Sequence, residues 1–126
     1  MKIVRFSDLD FIPASHEDPK DPGALKKVLL KRGDIPDGTV QMINWARIPK
    51  GKTFAPHFHE SMIEVFIMIS GKVKAKIDQE EAILEKGDMA IAMEGQVHSF
   101  ENIGEIDVDY FAMGIVTSEG GKSVNV

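Results

Sequence analysis

The sequence contains no cysteine, which excludes disulfides and thiolate-bound zinc. Long apolar runs are missing as well. The opening MKIVRFSDLDF lacks the apolar core of a secretory signal, and no stretch reaches the length that spans a bilayer. These absences predict a soluble, cytoplasmic protein. Clustered basic charge is scarce: the net charge is −5, and the densest basic stretches, Lys26-Lys27 with Lys31-Arg32 and Lys72-Lys74-Lys76, are short. A phosphate backbone demands larger clusters. Nucleic acid is therefore excluded as a main partner, and these lysines read as solvated strand faces. Repeats, linkers and biased tracts are also absent, and 126 residues make one domain with a real core rather than two.

Short alternating segments between turns are plentiful. Turn signals recur at IPASHEDPKDPG, RGDIPDG, IPKGK, ISGK, EKGD, EGQ and NIGE. Val40, Met42, Asn44, Ala46 and Ile48 alternate with Gln41, Ile43, Trp45 and Arg47. Val73, Ala75 and Ile77 alternate with lysines, and Ile106, Val108 and Tyr110 with Asp107, Asp109 and Phe111. Period-two runs broken by Gly and Pro predict an all-β sandwich or barrel. The stretch GALKKVLLKR fits a strand or two helical turns equally well. Residues 13–23, with three prolines and several charges, read as a surface loop or flap, and the tail EGGKSVNV as frayed.

Histidine is rare, with four in the chain, and three of them fall in strand-like segments. His57 and His59 are two apart, so on a strand both project from one face. Glu64 opens the apolar run that follows and shares a face with Phe66 and Met68, while Ile63, Val65, Ile67 and Ile69 take the other. A buried carboxylate without a positive partner is costly. Three imidazoles, with His98, and one carboxylate are a competent ligand set for one divalent ion: Fe, Mn, Ni, Co, Cu or Zn. An ion beside Glu64 supplies the missing positive charge. His16 reads as a solvated surface residue, and Glu60 points away from its neighbour His59.

The spacing carries more than the residue types. From Gly51 the chain runs G-x5-H-x-H-x4-E-x6-G, and from Gly87 it runs G-x5-M-x-G-x2-H-x3-N. These patterns resemble the paired motifs of the cupin superfamily, motif 1 over residues 51–71 and motif 2 over 87–102. The single departure is Met93, where the family usually has proline ahead of the third histidine. The resemblance implies one small cupin domain over 1–126, with a cupin-type antiparallel β-barrel (double-stranded β-helix, or jelly roll). His57, His59, Glu64 and His98 would hold the metal inside that barrel. Phe66, Met68, Phe100 and Tyr110 would line its pocket. Alternation lets only one of Asp109 and Tyr110 face inward.

Such a site suits two function classes. One is a small metalloenzyme acting on an organic acid, sugar or aromatic substrate. Dioxygenase-type chemistry stands slightly ahead of isomerase or decarboxylase chemistry, because the sequence offers little for a proton relay. The other is a non-catalytic module that binds a small molecule through the metal. Fold and ligand set alone do not select between them. The apolar outward set on residues 63–69 also predicts a homodimer burying about 2,000 Å², with the strand-like MKIVRF and ALKKVLLKR covering it in the same barrel or its partner's.

Overall fold

Alternation becomes strand wherever the turn signals leave room for it. The structure, a computed structural model, describes residues 1–35, 38–117 and 123–126. Numbered along the chain, its strands are β1 (Ile12–Pro13), β2 (Leu25–Leu30), β3 (Val40–Ile48), β4 (His57–His59), β5 (Met62–Ser70), β6 (Val73–Ile77), β7 (Glu80–Leu84), β8 (Met89–Ala92), β9 (His98–Asn102), β10 (Val108–Val116) and β11 (Ser123–Asn125). They form two antiparallel sheets, ordered β1-β2-β3-β10-β5-β8 and β11-β4-β9-β6-β7. This is the jelly-roll, double-stranded β-helix architecture. No helix among the described residues is long and apolar enough to cross a membrane.

The sheets meet over an aromatic core. Phe66 of β5 and Tyr110 of β10, from the first sheet, pack on Phe100 of β9 at ring separations of 4.7 and 5.7 Å. Phe54, on the approach to β4, closes the layer at 5.0 Å from Phe100. On β5, residues 62, 64, 66 and 68 are buried while 63, 65, 67 and 69 are not, as period-two alternation requires. Gly71 turns the chain from β5 into β6 at φ 83, and a Cβ there would lie 2.6 Å from Val108 Cγ2. Only glycine fits both demands. Asn102, buried at the end of β9, ties down the following turn. Its amide donates to Ile48 O and Ile106 O at 3.0 and 2.8 Å and accepts from Gly104 N–H.

Several expectations change. GALKKVLLKR is a strand, because pairing along β3 satisfies its backbone and tertiary context overrides weak propensity. Its lysines are not simply solvated: alternation turns Lys26 inward to the cavity and Lys27 outward. There Lys27 is 9% exposed, its Nζ 3.6 Å over the Phe6 ring and 2.9 Å from Phe6 O. The segment MKIVRF forms no strand. It ends in a 3-10 turn, Phe6–Asp8, whose Phe6 packs on Trp45 of the same chain at 5.0 Å. Ile3 and Val4 remain more than half exposed, so no facing layer favours extension. The tail is not frayed throughout: β11 pairs along β4, with Asn125 opposite His57. Residues 119–122 of that tail and Pro36-Asp37 of the RGDIPDG turn lie outside the described residues.

Candidate metal centre

Strand register builds the cluster. His57 stands opposite His98 across the β4–β9 pair, and the pleat puts His59 on the same face as His57. Glu64 enters from the other sheet, where Gly114 stands opposite it. All four side chains are buried, and one nitrogen or oxygen from each lies within 4.8 Å of the others. Glu64 Oε1 is 3.0 Å from His59 Nε2 and 3.1 Å from His98 Nε2. Backbone carbonyls orient two of the rings: His57 Nδ1–H donates to Ala55 O at 2.8 Å and His98 Nδ1–H to Gln96 O at 2.9 Å. With Nδ1 occupied, each neutral ring offers its Nε2 lone pair to the cluster.

This donor set fits a divalent ion. With Nδ1 donating to Gln96 O, His98 Nε2 faces a carboxylate oxygen at 3.1 Å, a contact that calls for positive charge, which a divalent ion ligated by both groups supplies. Three neutral imidazoles and one carboxylate supply the borderline ligands such a cation prefers. Burial holds His57 down at about 3, reinforced by the neighbouring His16 and His98. Burial alone would raise Glu64, but the adjoining His59 and His98 rings reverse this and bring it to about 2. At neutral pH His57 is therefore neutral and Glu64 ionised, the forms that metal binding requires.

Met93, the departure from the motif, does not spoil the turn ahead of His98. Gln96 N–H donates to Met93 O at 3.1 Å, and Met93 N–H donates to Gln96 Oε1 at 2.8 Å. Proline has no N–H to make the second bond. Gly95, at φ 74, donates to His59 O at 2.8 Å, so this turn is fastened to the strand that carries two of the histidines.

A cavity of about 410 Å³ opens from the cluster. Tyr110 lines it, whereas Asp109 faces outward. There Asp109 accepts from Arg47 Nε and Nη2 at 2.7 and 2.9 Å and from Trp45 Nε1 at 3.0 Å. Phe66, Met68 and Phe100 belong to the core and are not among the cavity-lining residues. Phe66 instead backs the cluster, 5.5 Å from the His98 ring. Lys26, Lys31 and Arg32 give the cavity a cationic side. Burial lowers Lys26, against the opposing pull of Glu64.

His16 is the residue that sequence reasoning misplaced. It is not solvated: it lines the cavity and stacks on His57, with ring centroids 3.8 Å apart and planes 16° apart. Glu17 brings it there. That carboxylate, only 3% exposed, accepts from His16 Nδ1 at 2.7 Å, Ala55 N–H at 2.7 Å and Gly23 N–H at 2.6 Å. Gly23 is packed so closely that a Cβ would lie 1.8 Å from Thr53 O. Burial pushes His16 down to about 4. The pair His16-Glu17 was a visible signal, but nothing local in the sequence connects it to His57.

The fold has solved counterparts. A Thermotoga maritima protein described as a predicted oxalate decarboxylase superposes with TM-score 0.80 at 22% identity, over 91% of this chain and 99% of its own. An uncharacterised Klebsiella pneumoniae protein with a double-stranded β-helix domain superposes with TM-score 0.74 at 18% identity, over 100% and 97%. At these identities the likeness establishes the fold alone. An oxalate-binding protein of Thermotoga maritima is 26% identical over 67 residues, 53% of this chain and 55% of its own length. The match thus spans about half of that curated relative. The family model described as the cupin domain matches residues 44–114, more than half of the chain. A single divalent metal ion is the cofactor of such a buried His/Glu cluster. Because the matched span contains both motifs whole, with every strand that carries the cluster, the chain belongs to the cupin family.

Proposed function

We propose that His57, His59, Glu64 and His98 ligate one divalent metal ion, and that the cavity beside it binds a small carboxylic acid. The observation that carries this reading is charge. The only cluster of four potential ligands among the described residues sits at the end of a cavity whose side carries Lys26, Lys31 and Arg32. Lys31 is paired with Asp34 at 3.1 Å, but a divalent ion and Lys26 against the single lining carboxylate, Glu64, still leave the cavity positive, which favours a small anion. The oxalate-binding relative points to the same ligand chemistry. Four protein ligands leave one or two positions open on a five- or six-coordinate ion, enough for a carboxylate to reach it.

We read the site as catalytic. Dioxygenase-type chemistry asks of this chain only an open redox ion with an apolar wall, and Met42 and Met62 supply such a wall. Isomerisation or decarboxylation asks in addition for a polar group outside the ligand set, and His16 is such a group. Elemental content of purified protein tests the ligands: wild type should carry one equivalent of metal, and His57→Ala/His59→Ala almost none. Equal content in the two would overturn the assignment. Nitric oxide binding to the ferrous protein, read by paramagnetic resonance, tests the oxygen reading; a silent spectrum would remove it.

We also propose that two copies pair through the outer face of the first sheet. Cross-strand neighbours there form two apolar rows, Met89–Ile67–Phe111 and Ile91–Val65–Met113. Ile67, Met89 and Ile91 are 42%, 56% and 45% exposed. A contiguous patch of this kind favours association, and a twofold dimer is the commonest result. Light scattering on a sizing column should give twice the chain mass of 13.9 kDa; the single chain mass would overturn the pairing.

A further inference from the structure

His16 lines the cavity and stacks on His57, and its Nδ1 tether leaves its other ring nitrogen for the cavity. Both Nδ1 atoms are occupied on one side of the stack. His57 Nδ1–H donates to Ala55 O, His16 Nδ1–H donates to Glu17 Oε2, and that same oxygen accepts Ala55 N–H. Two nearly parallel imidazoles whose Nδ1 edges face Ala55 turn their Nε2 edges the opposite way. For His57 that way leads to the cluster. His16 Nε2 therefore emerges beside the cluster on the cavity wall, one ring thickness from a metal ligand. No hydrogen bond ends on it among the described residues. Because Nδ1 gives its proton to Glu17, Nε2 carries the lone pair and acts as an acceptor.

Tyr110 offers a second unused group. It lies on the same cavity and is buried at 3% exposure, and its hydroxyl makes no hydrogen bond within the described residues. A carboxylate can accept from Tyr110 but has nothing to donate to His16. An ammonium group could donate, but Lys26 and a divalent ion repel it. The uncharged donor that suits a small acid is a hydroxyl.

Resting on the acid-binding reading, we infer that the cavity selects a small carboxylic acid bearing a hydroxyl group, held by His16 and Tyr110, with Glu17 as the positioning residue for His16. Neither His16 nor Tyr110 belongs to the metal-ligand set, so together they set specificity while the metal anchors the acid. A site built to bond a hydroxyl discriminates strongly against the analogue without it.

Calorimetric titration of the metal-loaded full chain with tartrate and with succinate tests this, since the two acids differ only in their hydroxyls. Wild type should bind tartrate about tenfold or more tighter than succinate. His16→Phe keeps a ring to stack on His57, and Tyr110→Phe keeps the core ring. Each should cut the tartrate-to-succinate ratio to about threefold or less while metal content, measured on the same samples, stays unchanged. A ratio that survives both substitutions would assign the hydroxyl preference to the metal alone and overturn the inference. Equal binding of the two acids by wild type would also overturn it but leave the acid-binding reading intact. Failure of both acids to bind would overturn both readings, with metal content still reporting separately on the ligand assignment.

Discussion

Two regions meet at this site, and they are held there by different means. His57, His59 and His98 sit on paired strands, where register and pleat fix each ring to within the tolerance of a β-ladder. His16 sits on an irregular segment and is placed by one buried carboxylate, Glu17, which joins residues 16, 23 and 55. The strand-borne rings share their support with many backbone hydrogen bonds; the loop-borne ring depends on three bonds to one side chain. The cluster should therefore outlast the loss of the segment, whereas the segment should not outlast the loss of Glu17.

The largest effect should come from removing what both regions rest on. Phe54 is 1% exposed and packs against the rings of His16, His57 and His98 at 5.4, 5.5 and 6.0 Å. Phe54→Ala should cost about 3–5 kcal/mol in urea unfolding and reduce metal content as well. Full metal content would show that the strands need no help from this ring.

Glu17→Ala separates the regions. It strands the N–H groups of Gly23 and Ala55 and should cost about 3 kcal/mol in the same measurement. Metal content should stay at one equivalent, because no strand register depends on Glu17. Parallel loss of metal would break the distinction between the two regions.

Acid should act on both regions in the same direction. His16 and His57 are held at about 4 and about 3 in the folded protein, below the ordinary imidazole value of about 6.5. As pH falls below that value the unfolded chain takes up protons that the folded chain refuses. Stability present above it is lost progressively down to about 3 to 4. Glu64, held at about 2, adds a further loss as the pH falls through the ordinary carboxylate range toward that value. For metal-free protein, urea midpoints between pH 7 and pH 5 should report about 2 kcal/mol per imidazole. A flat profile would mean that the two rings are more hydrated than their burial indicates.

The smallest effect should be that of His16→Phe on stability in neutral buffer, about 1 kcal/mol, since Glu17 keeps its bonds from Gly23 and Ala55. The new ring can keep the stack on His57, although the Glu17 bond is lost. A larger loss would make that bond a structural tie as well as a positioning one.

How much was legible in the sequence follows the same division. On β5, the alternation of Glu64, Phe66 and Met68 against Ile63, Val65, Ile67 and Ile69 gave both faces of the strand in advance, because a pleat has a period of two. The placing of His57 and His59 on one face could be read for the same reason, whereas joining them to Glu64 and His98 rested on the resemblance of the two motifs to the cupin pattern. The phase of β10 could not: Asp109 and Tyr110 are equally good strand residues, and the choice fell to Arg47 and Trp45, which hold Asp109 on the outer face. Phe66, Met68 and Phe100 alternate inward correctly, yet inward meant core rather than cavity. The cavity opens instead toward β2 and β3, and the lysine pair of β2 had suggested only solvent.

The amino-acid sequence by itself determined the all-β architecture, the turn positions and the four-residue cluster on its strands. The first two rest on local quantities, side-chain alternation and glycine at positive φ; the cluster rests on its donor types and on the resemblance of the paired motifs, which brings in His98 from 34 residues beyond Glu64. Only the tertiary structure decided that residues 14–17 fold against residue 55. That placement needs a contact across 38 residues between Glu17 and Ala55, and a contact of that kind leaves no period or spacing in the chain. The same holds for His16, which lies far from His57 in sequence. What joins them is a buried carboxylate whose three partners are assembled only when the sheets close.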